Sequence, residues 1–251
     1  MVSRRGPNHH LEGAGLNRSL QVLVHQGKVT EGHLQAEGAG LTGVQHHPLE
    51  GLEFFDRGGY GTEQIIDVEL DDLSTGPVPG VGDRNFHDQG LIGYYPEHGV
   101  GFGNLSIREG DSDMFIISGT QTGHIPRTDA HHYARVTECD IGANRVHCEG
   151  PVQASSEALT HAAIYALDPA IRAVVHVHNV AMWNELMDKV PTTSRDVSYG
   201  TPEMAVEFQR LFAETDFAKR GIAVMGGHEE GIVSFGDDIE QAAERILRVQ
   251  D

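Results

Sequence analysis

The chain is short of cations. Its 251 residues hold 18 Lys and Arg against 37 Asp and Glu, a formal charge of -19. Nucleic acids and anionic lipids are bound by clustered Lys and Arg, so this balance argues against both as partners and favours a small-molecule substrate. Only three of the basic residues are lysines, Lys28, Lys189 and Lys219. An acidic, lysine-poor surface suits a concentrated-salt cytoplasm, and replacement of Lys by Arg under high-GC codon usage would give the same count. Cysteine is also scarce: Cys139 and Cys148 flank an IGAN turn, and in a chain with no export signal they read as reduced thiols rather than a disulfide. No apolar run approaches the roughly 18 to 20 residues that span a bilayer, and the N-terminal MVSRRGPNHHLEGAG has no apolar signal-peptide core. The expectation is a soluble, cytoplasmic protein.

What is present supports one main domain with an extension, since 39% hydrophobic content over this length is enough for a sizeable core. Residues 1–62 are rich in Gly and His and have one short apolar run, Leu20 to Val24. They read as an N-terminal extension without a packed core, a candidate for disorder. The paired histidines His9, His10, His46 and His47 lack a partner cluster at ligand spacing and read as solvated. The main domain is expected over 63–251.

Within it, EQIIDVEL reads as a strand, Asn85 to Tyr94 as a short helix, and GVGFGNLSIR as a half-buried strand in which Leu105 and Ile107 alternate with Asn104, Ser106 and Arg108. DMFIISG is a further strand, and HYARVTECD with NRVHCEG makes a hairpin. Strands in such short succession favour antiparallel pairing. A helix is expected from Ser155 or Ser156, either a good N-cap, to the stop at Asp168-Pro169, with Leu159, Ala162, Ala163 and Ala166 on one face. IRAVVHVHN is a strand, followed by helices over Val180 to Lys189 and Pro202 to Thr215. Strands at Gly221 to Met225 and Gly231 to Phe235 and a helix over Asp237 to Val249 complete the order. Helices interspersed with strands after a run of strands imply a sheet covered on both sides.

The chemistry concentrates between Ser155 and His178. Residues i and i+2 of a strand share a face, so His176 and His178 project together and can take two positions on one metal ion. HxH alone is a weak signal, and its place at the end of an apolar strand strengthens it. His228, in MGGHEEGIVSFG between two predicted strands, is the third candidate ligand. Glu157 is a carboxylate in the first turn of a helix, where the macrodipole alone would favour it. Ser155 and Ser156 read as caps or as part of an anion site at a helix start. The GFGN and SGT loops are similar: Gly103 and Gly119 permit close backbone approach, and Asn104, Ser118 and Thr120 offer short polar groups. His124, Arg127, Tyr199 and Glu230 are secondary candidates near substrate or an interface, and Trp183 reads as helix packing.

As an ordered set, GFGNLSIR, FIISGT, SSE, VVHVHN and the later His228 resemble the class II aldolase/adducin family over about residues 84 to 250. The resemblance implies a three-layer α/β/α domain around a central, mostly antiparallel sheet, a homotetramer with sites at subunit interfaces, and a catalytic role for residues 63–251. It implies a divalent metal, commonly zinc, with Mn2+, Co2+ and Fe2+ as alternatives, on His176, His178 and His228. Glu157 is then the acid/base, and Gly103, Asn104, Ser118, Gly119, Ser155 and Ser156 hold a phosphate. Two features depart from the pattern: His228 is followed by Glu229 and Glu230 before Gly231, which puts a second carboxylate near the metal and leaves open whether His228 reaches it. The chain also stops directly after its last predicted helix, without the tail that serves a neighbouring site in the sugar-phosphate aldolases.

The activity this implies is metal-dependent aldolase cleavage of a hydroxy-ketone, a sugar phosphate, through a metal-stabilised enediolate. A 4-epimerase or dehydratase of the same family uses related intermediates. An adducin-like interaction protein without catalysis is the alternative of another class.

Overall fold

The computed structural model describes residues 86–249 and the backbone of three strands ahead of them. Those strands are Arg18–His25 (β1), Lys28–Ala36 (β2) and Gln64–Glu69 (β3). The strands that follow are Gly93–Tyr95 (β4), Val100–Phe102 (β5), Asn104–Arg108 (β6), Phe115–Ser118 (β7), Tyr133–Asp140 (β8) and Arg145–Glu149 (β9). Ala173–His178 (β10), Ile222–Val224 (β11) and Gly231–Gly236 (β12) complete them. The helices are Ala158–Tyr165 (α1), Val180–Leu186 (α2), Pro202–Glu214 (α3), Phe217–Arg220 (α4) and Ile239–Leu247 (α5).

Ten strands form one sheet in the order β11-β12-β10-β6-β7-β8-β9-β3-β1-β2, and β4 pairs with β5 in a separate ribbon. Every pairing in the large sheet is antiparallel except that of β3 with β9. β1 and β2 fall in the segment read from sequence as an extension without a packed core, yet they pair into this sheet. The rest of that segment, with its paired histidines, lies outside the described residues.

Two apolar cores lie on opposite faces of the sheet, as the alternation of strand side chains requires. One joins Ile117, Val136, Val174 and Val233 to Leu159 and Ile164 of α1, Phe208 and Leu211 of α3, and Phe217 of α4. The other joins Leu105, Val175, Val177 and Ile232 to Met182 and Leu186 of α2 and to Ile239, Ala242 and Ile246 of α5. The architecture is thus the expected three-layer α/β/α. Local signals explain the helix limits: Thr201 accepts from Met204 N with Pro202 in the first turn of α3, and Asp238 accepts from Gln241 N at the start of α5.

Three expectations need correction. The helix expected over Asn85 to Tyr94 ends at Asp88, after which the chain bends into β4. α1 begins at Ala158 rather than at either serine, because Ser155 Oγ accepts from Glu157 N at 3.3 Å and Ser155 O from Ala158 N, which spends the serine on the preceding turn. Cys139 and Cys148 are free thiols, as expected, and stand opposite Val146 and Val136.

The third concerns β6, whose polar face is buried rather than solvated. Ser106 Oγ lies 2.7 Å from both His161 Nδ1 and Tyr165 Oη. Arg108 donates to the carbonyls of Tyr165 and Ile171, with its guanidinium 4.8 Å from the centre of the Tyr165 ring. The guanidinium therefore closes the C-terminal end of α1, where carbonyls lack helical partners. Arg108→Lys retains the charge but loses the planar fork, so urea unfolding is expected to show a loss of about 2 kcal/mol or more. A loss under about 0.5 kcal/mol would mean that these carbonyls do not depend on it.

Candidate metal centre

β10 supplies the first two imidazoles. Val175 and Val177 enter the core beneath α2 and α5, while His176 and His178 turn with Val174 to the other face. His178 ends the strand, and Asn179 caps α2 by accepting from Met182 N at 2.9 Å.

His228 comes from the turn between β11 and β12. Three backbone bonds close it: Met225 N to Gly231 O at 2.9 Å, His228 N to Met225 O at 3.1 Å, and Gly231 N to His228 O at 2.9 Å. A Cβ on Gly231 would stand 2.5 Å from the His228 ring, so only glycine lets the ring fold back there. From α2, Trp183 Nε1 donates to Met225 O at 2.9 Å and ties down the first residue of the turn.

The three rings converge. Centroid separations are 4.9 Å for His176 and His178, 5.2 Å for His176 and His228, and 4.7 Å for His178 and His228. One nitrogen of each lies within 4.8 Å of the others, and the Nε2 atoms of His176 and His178 are 3.0 Å apart. The two extra residues before Gly231 therefore do not keep His228 from the cluster.

This donor set fits a divalent cation. Nitrogens bound at about 2.0 to 2.1 Å on a tetrahedral ion lie roughly 3.4 Å from one another, near the spacing of the His176 and His178 pair. Burial lowers the His176 imidazole to about 4. Burial first, then the neighbouring imidazoles, hold His178 and His228 well below the ordinary histidine value. All three are therefore neutral near pH 7, as ligands must be.

Glu157 sits at the head of α1 with 4% of its surface exposed. Neither carboxylate oxygen has a partner in hydrogen-bond geometry among the described residues. Burial pushes the carboxyl up to about 7, and the nearby Thr160 hydroxyl opposes this only in part.

The triad and Glu157 share a cleft of about 140 Å3 with Gly103, Asn104, Gly119, Ser155 and Ser156. Gly103 has φ +74°, and a Cβ there would meet the Ile92 side chain at 2.7 Å, so the turn into β6 requires glycine. Asn104 is buried with its Oδ1 unpartnered.

Ser118 does not line the cleft. Its hydroxyl accepts from Leu105 N at 3.1 Å and faces Leu105 O at 3.4 Å, which commits it to β6. Gly119 borders the cleft, although its missing side chain also makes room for Val152, 2.4 Å from where a Cβ would lie. His124 and Arg127 lie outside it.

Tyr199 is within the cleft, its ring centroid 4.1 Å from that of His228. Tyr95 and Phe102 also line it and were not singled out from the sequence: Phe102 stacks on His178 at 5.5 Å, and Tyr95 packs on Phe102 at 4.3 Å. Among the described residues, no Lys or Arg borders the cleft.

The family model for the class II aldolase and adducin N-terminal domain matches residues 97–251, more than half of the chain. The chain belongs to the class II aldolase and adducin family. The matched span includes both β10 histidines, Glu157 and His228.

Solved structures similar to this class II aldolase-family chain include YgbL from Escherichia coli, described as a candidate aldolase, epimerase or decarboxylase. It is 16% identical with a TM-score of 0.48, over 67% of this chain and 81% of that one. An L-fuculose 1-phosphate aldolase is 17% identical with a TM-score of 0.49, over 66% and 78%. An aldolase II superfamily protein from Pseudomonas syringae is 15% identical with a TM-score of 0.44, over 67% of each chain. A search of curated protein sequences finds no match. No helix among the described residues is long and apolar enough to cross a membrane.

Glu157 also predicts a pH dependence of stability. Its folded-state pKa is raised from 4.5 to about 7, so its contribution is fully present below about pH 4.5 and lost as pH rises through about 7. Glu157→Gln does not titrate. In chelator-treated protein, urea unfolding is expected to show the variant gaining on the order of 3 kcal/mol over the wild type between pH 4.5 and pH 8. Parallel pH profiles for the two proteins would contradict the burial of an unpartnered carboxyl.

Proposed function

We propose that the protein is a metal-dependent lyase of the aldolase type, acting on a hydroxy-ketone, specifically a phosphorylated sugar. The observation that carries this is the convergence of three neutral imidazoles and one buried, uncommitted carboxyl in a single cleft of a class II aldolase-family domain.

His176, His178 and His228 would hold the metal, for which zinc is the best fit to three nitrogen donors, with Mn2+, Co2+ and Fe2+ as alternatives. When bound, a divalent ion supplies Lewis-acid stabilisation of the negative charge that develops at a substrate carbonyl. Glu157 handles the proton. A carboxyl whose pKa lies near 7 can both take and return one at neutral pH, and its free oxygens leave it available to substrate. The aromatic rings of Phe102 and Tyr199 beside the imidazoles limit water at the reacting end.

At the other end of the cleft, Gly103, Asn104, Gly119, Ser155 and Ser156 offer small groups and neutral donors to a phosphate. Ser118 takes no direct part, because its hydroxyl is engaged by Leu105. Retro-aldol epimerisation and dehydration would call on the same carboxyl and triad. Family membership supports a homotetramer, and the -19 formal charge supports a protein without nucleic-acid or anionic-membrane partners.

Two measurements test the proposal. Metal analysis after purification without chelator is expected to give about one ion per chain, lost in His176→Ala, His178→Ala and His228→Ala. A set of phosphorylated and free ketoses is then assayed for metal-dependent release of an aldehyde. Glu157→Gln is expected to retain the metal and to lower turnover by about 100- to 10,000-fold. Metal-free wild-type protein whose behaviour is unchanged by His176→Ala would favour a non-catalytic, adducin-like role. A metal-loaded protein that turns over no ketose phosphate would point to dehydration or an unphosphorylated substrate.

A further inference from the structure

The pair of glutamates after His228 has a structural use. Glu230 adopts φ +70°, an unusual conformation for a residue with a side chain, and its carbonyl accepts from Asn179 N at 3.0 Å. Asn179 directly follows His178. The turn is thus tied by its backbone to the end of β10, and it directs the Glu230 carboxylate to the Tyr95 hydroxyl, which donates to it. The same hydroxyl lies 3.4 Å from His178 Nδ1.

We propose that Tyr95 and Glu230 are positioning residues that fix His178 as a metal ligand, through the chain His178 Nδ1–H to Tyr95 Oη and Tyr95 O–H to Glu230. A carboxylate at the far end accepts only, so the tyrosine proton goes to Glu230 and the tyrosine oxygen faces the imidazole as an acceptor. The imidazole then carries its proton on Nδ1, and Nε2 keeps the lone pair. Nε2 is the nitrogen that lies 3.0 Å from His176 Nε2, within the cluster. A carboxylate acting through a hydroxyl also makes the imidazole more basic toward a cation. Phe102 holds the other two members by packing, with its ring 4.3 Å from that of Tyr95 and 5.5 Å from that of His178.

The assignment gives the two-residue lengthening of the turn a purpose. One segment delivers a ligand, His228, and two residues later the anchor for a different ligand, His178. It rests on the proposed metal centre, and the test separates the two.

Zinc affinity of the full chain is measured by competition with a chromophoric chelator, and the cobalt-loaded proteins are compared by absorption spectrum. Tyr95→Phe and Glu230→Gln are each expected to weaken zinc binding by about 10- to 100-fold and to alter the cobalt spectrum, with melting temperatures of the metal-free proteins close to the wild type. The double variant should bind about as the weaker single variant does, because the two residues act in series.

In parallel, the imidazole nitrogens of metal-free protein are read by 15N NMR, with His178 assigned by its absence from His178→Ala. His178 is expected to be protonated on Nδ1, and to lose that preference in Tyr95→Phe. Protonation on Nε2 in the wild type overturns the chain of bonds whatever the metal result, as does zinc affinity unchanged within about twofold in both single variants. If the wild type binds no zinc while His178 is protonated on Nδ1 and responds to Tyr95→Phe, the metal centre fails and the hydrogen-bonded chain stands.

Discussion

Burying a carboxyl without a hydrogen-bond partner is costly, and the surroundings of Glu157 exist on that condition. An isolated buried carboxylate shifts its pKa or must find a counter-charge, and here the shift to about 7 occurs with no Lys or Arg among the described residues bordering the cleft. The two apolar layers on either side of the sheet supply the stability that offsets this local loss. The neutral imidazoles follow from the same exclusion of water. A site of this kind breaks the rule that buried polar atoms are paired, and such breaks concentrate where chemistry is done.

Strand alternation then decides which side of the sheet the chemistry occupies. Shifting β10 by one residue against β6 and β12 would move His176 and His178 into the core beneath α2 and α5 and turn Val175 and Val177 to the cleft. The register is held on both sides: His176 stands opposite Asn104 on β6 and opposite Val233 on β12. Asn104 is thereby placed at the cleft by the same pairing that orients the histidine, so the GFGN turn and the imidazole are set by one ladder.

Much of this could be read from the chain. The order of the main elements from β6 to α5, the shared face of His176 and His178 and the two-sided covering of the sheet follow from periodicity and from residue types at particular positions, while the role of Glu157 rests on the family resemblance. What escaped notice depended on distance along the chain. Tyr95 meets Glu230 across 135 positions, and no local pattern in GYYP announces it. Ser118 looked as suitable as Ser155, and only the pairing of β6 with β7 shows that its hydroxyl is already engaged. The polar side of β6 seemed solvated because Ser106 and Arg108 are polar; their partners His161 and Tyr165 lie more than fifty residues away on α1. The strands β1 and β2 pair with each other, but a glycine-rich context hid them, and β3, which joins them to the sheet beside β9, comes much later in the chain.

Trp183 is the sole tryptophan of the chain. Its indole N–H is bonded to Met225 O, at the head of the turn that carries His228. Indole emission responds to the polarity and hydrogen bonding around the ring. The molecule therefore contains one indole fluorophore, and it is attached to the segment that brings in the third imidazole. Any rearrangement of that turn, on loading a cation or on admitting a substrate, has an optical signal that needs no added label and no correction for a second emitter of the same kind.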